Sequence, residues 1–197
     1  EYDNVKEFEV DSARGVRFPH FVNYNEGIYV GYRYYETAAD EGLIDYDSVV
    51  QYPFGYGLSY TSFDEKMGSV AYDTESGTIS FDVTVTNTGD VAGKDVVEVY
   101  CNPPYTNGGI EKASANLVSF EKTKELEPGE SETVSIEFDD DDMASYDYRN
   151  AKSYVLESGD YRISVRTDSH SIVDEKTVNV ASTITYNSED NTHNGDA

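Results

Sequence analysis

Apolar and polar side chains alternate strictly along residues 78–86. Ile79, Phe81, Val83 and Val85 fall on one face of this segment, and Ser and Thr with one Asp occupy the other face. A period of two is typical of a β-strand that buries one face and exposes the other. The pattern therefore predicts a half-buried strand here.

Seven further segments are rich in β-branched and aromatic residues and are bounded by turn residues such as Asn, Gly and Pro. The turn at Ser158-Gly159 predicts a tight hairpin between two of these segments, and one helical turn is predicted at 141–146. About eight strands at this spacing favour an all-β, immunoglobulin-like sandwich. The segments are 67–72, 95–101, 117–124, 131–138, 153–157, 160–167 and 172–181.

The two ends of the chain lack this pattern. Residues 1–63 show little clean periodicity, so they are predicted to form an irregular, aromatic-rich connecting region before a sandwich at 64–181. Residues 182–197 are dense in Asn, Asp, Ser and Thr. A segment of this composition buries too little apolar surface to offset the conformational entropy lost on ordering. We therefore predict a flexible tail or linker here.

Charge narrows the classes of partner. The chain of 197 residues has 14 basic and 39 acidic residues, a formal net charge of −25. Such a charge repels nucleic acid and anionic lipid headgroups and suits a secreted or cell-surface protein, although the compartment stays undecided. No apolar run approaches the ~20 residues that span a bilayer. A chain that opens at Glu1 without Met is expected to be a piece of a longer protein.

Candidate chemical groups are isolated in the sequence. Cys101 has no second cysteine, and His20, His170 and His193 are not spaced as metal ligands, so each is predicted to be a surface or edge histidine. The acidic run 139–142 lacks the spacing of a calcium loop and is read as a solvated turn. The sequence therefore predicts no catalytic residue, no metal site and no cofactor, and it leaves any substrate-binding residues unknown.

Two aromatic, glycine-containing strings stand before the predicted sandwich, NEGIYVGYRYY at 25–35 and PFGYGLSYT at 53–61. In this order and at this spacing they resemble the end of the second domain of glycoside hydrolase family three enzymes, which include β-glucosidases. Four later strings resemble that family's fibronectin type III-like domain in the same order. They are TVTNTGDVAGKDVVEVY at 84–100, LVSFEKT at 117–123, LEPGES at 126–131 and LESGDY at 156–161.

The resemblance implies that residues 1–63 are the end of an α/β sandwich domain and a connector, followed by a fibronectin type III-like domain. Family three places a nucleophilic Asp on its barrel domain and usually an acid/base Glu on its second domain, in a Gly-Glu-Gly-x-Asp-Arg type of string. Glu26 follows Asn and lacks the Asp-Arg, so the acid/base role is not transferred to it. The chain is therefore expected to be a non-catalytic part of a sugar-cleaving enzyme.

Three functions remain open at this point. The first is a structural domain that packs on the barrel and α/β sandwich domains of the parent glycosidase. The second is a carbohydrate-binding module that uses some of the 18 Tyr residues as stacking platforms, although the chain has no Trp. The third is a cell-surface adhesion or assembly module that self-associates through the connector aromatics.

Overall fold

The computed structural model describes residues 6–7, 20–21 and 27–186 of the chain. Strands β1 (Lys6–Glu7) and β2 (His20–Phe21) form a small antiparallel pair. Residues 27–62, called the connector below, contain helices α1 (Tyr32–Asp40) and α2 (Tyr46–Val49). The region predicted as irregular is thus partly helical.

Eleven further strands and a 3-10 helix at Asp140–Met143 follow the connector. All the strand pairs of these sheets are antiparallel. The fold class is all-β with few helices, as predicted. The strands are β3 (Phe63–Met67), β4 (Ala71–Asp73), β5 (Thr78–Asn87), β6 (Val96–Asn102), β7 (Asn116–Lys122), β8 (Ser131–Asp139), β9 (Ser145–Asp147), β10 (Ser153–Leu156), β11 (Gly159–Arg166), β12 (Ile172–Val180) and β13 (Ile184–Thr185).

The first sheet is centred on β5. Strand β8 pairs along one side of β5, and β3 and β4 pair in succession along its other side. Ile79, Phe81, Val83 and Val85 are all buried, which confirms the face predicted from their alternation.

The second sheet has the order β12-β11-β6-β7. Its inner face presents Val97, Val99 and Cys101 from β6, with Ile163 and Val165 from β11, all fully or almost fully buried. These side chains pack against the inner face of the first sheet, so a single apolar core lies between the two layers.

A third sheet, β13-β10-β9, adjoins the sandwich. Strand β10 pairs with β9 and β13, so the predicted hairpin between β10 and β11 at Ser158-Gly159 is wrong. Both carboxylate oxygens of Asp140 accept bonds, from the hydroxyls of Tyr72 and Tyr186 at 2.6 and 2.8 Å. Ordered structure thus continues past the predicted domain end at 181, and residues after 186 lie outside the described part of the chain.

Candidate functional site

The connector lies against β6, the segment before β7 and the turn between β11 and β12. Helix α1 begins after Gly31, whose φ of 59° lies in the left-handed region that glycine adopts without strain. Two backbone amides of the sandwich donate to connector side chains, Ser114 to the Thr37 hydroxyl at 2.9 Å and Leu117 to the Tyr32 hydroxyl at 2.9 Å. These bonds fix the position of α1 on the sandwich.

Glu36 joins three elements through one carboxylate. Its Oε1 accepts from the hydroxyls of Tyr46, on α2, and Ser169, in the β11–β12 turn, at 2.6 and 2.7 Å. Its Oε2 lies 2.8 Å from Nδ1 of His170. The His170 ring stacks on Tyr46 with a centroid distance of 3.7 Å and an interplanar angle of 6°. These four residues are called the Glu36 cluster.

The Glu36 cluster links α1, α2 and the turn between β11 and β12. Glu36 is only 5% exposed, so its bonds connect elements of the fold. Bonds to a carboxylate in such surroundings are stronger than neutral ones. Burial, together with the bond to Glu36, raises the pKa of Tyr46 above its usual value, so this phenol stays a donor at all ordinary pH values.

A buried arginine supports the same turn from beneath. Arg166 donates from Nε to Ser164 Oγ at 2.8 Å, from Nη2 to Asn102 Oδ1 at 2.6 Å, and from Nη1 to the Ser169 carbonyl. Its guanidinium carbon lies 5.1 Å from the centre of the Tyr100 ring. Burial lowers the pKa of Arg166, but each of its three guanidinium nitrogens donates to an oxygen acceptor.

Aromatic rings complete the contact between connector and sandwich. Tyr32 stacks on Phe54 at 4.7 Å and meets Tyr100 edge-on at 6.1 Å. The Phe54 carbonyl accepts from the Ser169 amide at 2.7 Å. The string at 53–61 is therefore held by both its backbone and its first ring, as expected for an anchored aromatic segment.

Gly55 shows why the string needs a glycine beside that ring. Its φ is 88°, and a Cβ at this position would lie 2.3 Å from Oε2 of Glu98. Glu98 also accepts from the Tyr100 hydroxyl at 2.7 Å. Any residue with a side chain at position 55 would have a strained backbone conformation, and its Cβ would displace the Glu98 carboxylate.

The other side of the same segment is exposed. We call Tyr52, Tyr56, Leu58 and Tyr60 the aromatic edge. Leu58 is 90% exposed and Tyr60 is fully exposed, and the rings of Tyr52 and Tyr56 lie 5.1 Å apart. Exposed apolar side chains clustered in one segment mark an interaction surface.

The residues that the sequence analysis considered as candidate catalytic or metal-binding groups lie in separate regions of the chain. His170 belongs to the Glu36 cluster, while Cys101 lies in the core, where burial raises the pKa of its thiol to about 12. Glu26 and His193 lie outside the described residues, and of His20 only the backbone is described. The acidic run 139–142 ends β8 and forms most of the 3-10 helix, with a capping box between Asp139 and Asp142.

Among the residues that the structure describes, no three His, Cys, Asp or Glu side chains converge as ligands for a metal ion. None of the described helices combines the length and the apolar character needed to cross a membrane.

Comparison with known proteins supplies a family context for this geometry. Residues 95–169 match the fibronectin type III-like domain model. Probable beta-glucosidase K of Emericella nidulans is 41% identical over 165 residues, which is 84% of this chain and 18% of that protein. The structure of beta-glucosidase 3B from Thermotoga neapolitana superposes with a TM-score of 0.70 at 38% identity, covering 83% of this chain and 21% of that chain.

The chain has a fibronectin type III-like domain and is homologous over most of its length to the C-terminal region of family three beta-glucosidases. An exo-alpha-(1->6)-L-arabinopyranosidase of Bifidobacterium breve is also 39% identical over 157 residues, 80% of this chain and 19% of that enzyme. The chain thus spans about a fifth of the length of these relatives. Since they are larger enzymes, the homologous region packs with other domains there.

Proposed function

We propose that this chain is the non-catalytic C-terminal part of a family three glycoside hydrolase. In this role it packs on the barrel and α/β sandwich domains and stabilises them, while those domains hydrolyse β-linked glucosides or related O-glycosidic bonds. The relatives' names include a glucosidase and an arabinopyranosidase, so the parent's sugar is not assigned.

The observation that carries this proposal is the two-sided connector. One side is attached to the sandwich by the Glu36 cluster and by the Tyr32–Phe54 stack. The opposite side presents the aromatic edge to solvent. A segment held on one side and apolar on the other is suited to lie between two domains, because docking would remove its exposed surface from water.

A chimera tests the proposal. The chain replaces the homologous C-terminal region of Thermotoga neapolitana beta-glucosidase 3B, and hydrolysis of an aryl β-glucoside is measured for the chimera and for the isolated chain. We expect turnover by the chimera and none by the isolated chain. Turnover that purifies with the isolated chain at constant specific activity would contradict the non-catalytic assignment.

Paired substitutions on the aromatic edge make the test specific. Leu58→Ser with Tyr60→Ser should lower the unfolding temperature of the chimera but not that of the isolated chain, where both side chains already face water. Tyr148→Ser, at an exposed tyrosine outside the edge that contacts only its neighbour Arg149 among the bonds described, is the control and should change the two temperatures equally. Equal responses of the chimera to both sets would refute docking through the edge.

A further inference from the structure

A second surface feature lies apart from the aromatic edge. A cleft of about 710 Å³ opens between α1 with its following turn and the segment 102–114. This volume falls within the range of about 300–1,000 Å³ that is usual for small-molecule sites, which often lie where two structural units meet. The connector forms one wall of the cleft, and the sandwich forms the other.

The walls of the cleft are fixed by bonds within the chain. The Ser114 amide donates to the Thr37 hydroxyl at 2.9 Å, which ties the floor to α1. Lys112 is 5% exposed, donates to the Pro104 carbonyl at 2.7 Å and pairs with Glu157 at 2.5 Å. Because these contacts join parts of the chain itself, binding would require little reordering of the walls.

The cleft is lined by aromatic rings together with polar and charged side chains. Tyr34 on the helix side and Tyr105 on the sandwich side are each about half exposed. Asp40 and Asn107 add acceptors and an amide donor, and Arg162 adds further donors. Ring faces with donors and acceptors around them suit a ligand that has apolar C–H faces and many hydroxyl groups.

Charge limits the class of ligand further. The chain as a whole carries −25, which disfavours a polyanion. The lining itself has two acidic residues, Asp40 and Glu41, and two basic ones, Lys112 and Arg162, so its formal charge is zero and it favours neither a cation nor an anion. We propose that this cleft binds a short neutral oligosaccharide, with a sugar ring on Tyr34 or Tyr105 and its hydroxyls bonded to Asp40 and Asn107. This binding site goes beyond the docking role and uses none of the residues of the aromatic edge.

Titration of the isolated chain tests the proposal. Calorimetry with cellotetraose, laminaritetraose and xylotetraose should give saturable binding of at least one of them. At least one of Tyr34→Ala and Tyr105→Ala should weaken that binding by at least about tenfold, since a lost ring contact of about 1.4 kcal/mol corresponds to that factor. Tyr60→Ala, which removes a fully exposed ring from the aromatic edge, should leave the affinity unchanged.

The outcomes separate this site from the docking surface. Absence of saturable binding for all three sugars, or binding that persists in both cleft variants, would overturn the proposal and leave the chimera result unaffected. Binding that Tyr60→Ala abolishes would also overturn it, because the sugar would then lie on the aromatic edge. If a cleft variant fails to fold, amide NMR shifts of the unmodified chain decide, and they must change at Ala113 and Ser114 on sugar addition.

Discussion

Glu65 provides the sharpest test of the energetics of the sandwich. It lies on β3 with its side chain only 8% exposed, and neither carboxylate oxygen has a hydrogen-bond partner among the described residues. Burial, reinforced by the charges of Asp95, Glu98 and Asp64, raises the pKa of Glu65 from 4.5 to about 8. The folded chain therefore holds this proton at pH values where the unfolded chain has lost it.

The sign of the effect on stability follows from proton binding. Between pH 4.5 and about 8 the folded state binds more protons than the unfolded state, so the free energy of unfolding falls as the pH rises. The fall is about 1.4 kcal/mol per pH unit, which gives roughly 3 kcal/mol at pH 7 and roughly 5 kcal/mol over the whole window. The contribution is fully present below pH 4.5.

Glu65→Gln removes the titrating group and keeps the shape of the side chain. Urea unfolding at several pH values should show the variant close to the wild type at acidic pH and about 3 kcal/mol more stable at pH 7. Glu137→Gln, the same change at an exposed position on β8, is the control for the loss of one negative charge. A difference between Glu65→Gln and wild type that stays constant with pH would refute the reasoning.

Two further changes test the attachment of the connector. Glu36→Ala leaves the hydroxyls of Tyr46 and Ser169 without their buried acceptor and should cost about 2–3 kcal/mol in urea unfolding. Glu41→Ala, at an exposed position just after α1, should cost less than about 0.5 kcal/mol, and equal costs would contradict the role of Glu36. Gly55→Ala should lower stability by about 1–2 kcal/mol because of its positive φ, whereas Gly57→Ala, which has open space around it, should be close to neutral by the same measurement. Loss of stability in Gly57→Ala alone would contradict that account.

The sandwich was largely predictable from the sequence because its strands alternate. The inward positions of β5 follow directly from the period of two, and the resemblance of the string at 84–100 pointed to the correct family. The partners of β10 are not predictable in this way, because Ser145–Asp147 and Ile184–Thr185 are too short to show a period. The turn residues Ser158-Gly159 predict a hairpin between β10 and β11 that does not form, since β10 pairs with β9 and β13.

The site was less predictable than the fold. Glu36 and Arg166 are single charged residues whose burial depends on partners far away in the sequence, such as Ser169 and Asn102. No local pattern marks such contacts. Glu65 is different, since it lies between the inward positions Phe63 and Met67, and this alternation could have identified a buried carboxyl group.

Amide hydrogen exchange tests the central claim most directly, namely that the aromatic edge is a docking surface for the rest of a glycosidase. Exchange is measured at residues 52–60 in the isolated chain and in the chimera, with the core strand β5 as internal reference. We expect strong protection of residues 52–60 in the chimera only, with β5 equally protected in both. Equal exchange of residues 52–60 in the two proteins would contradict the claim.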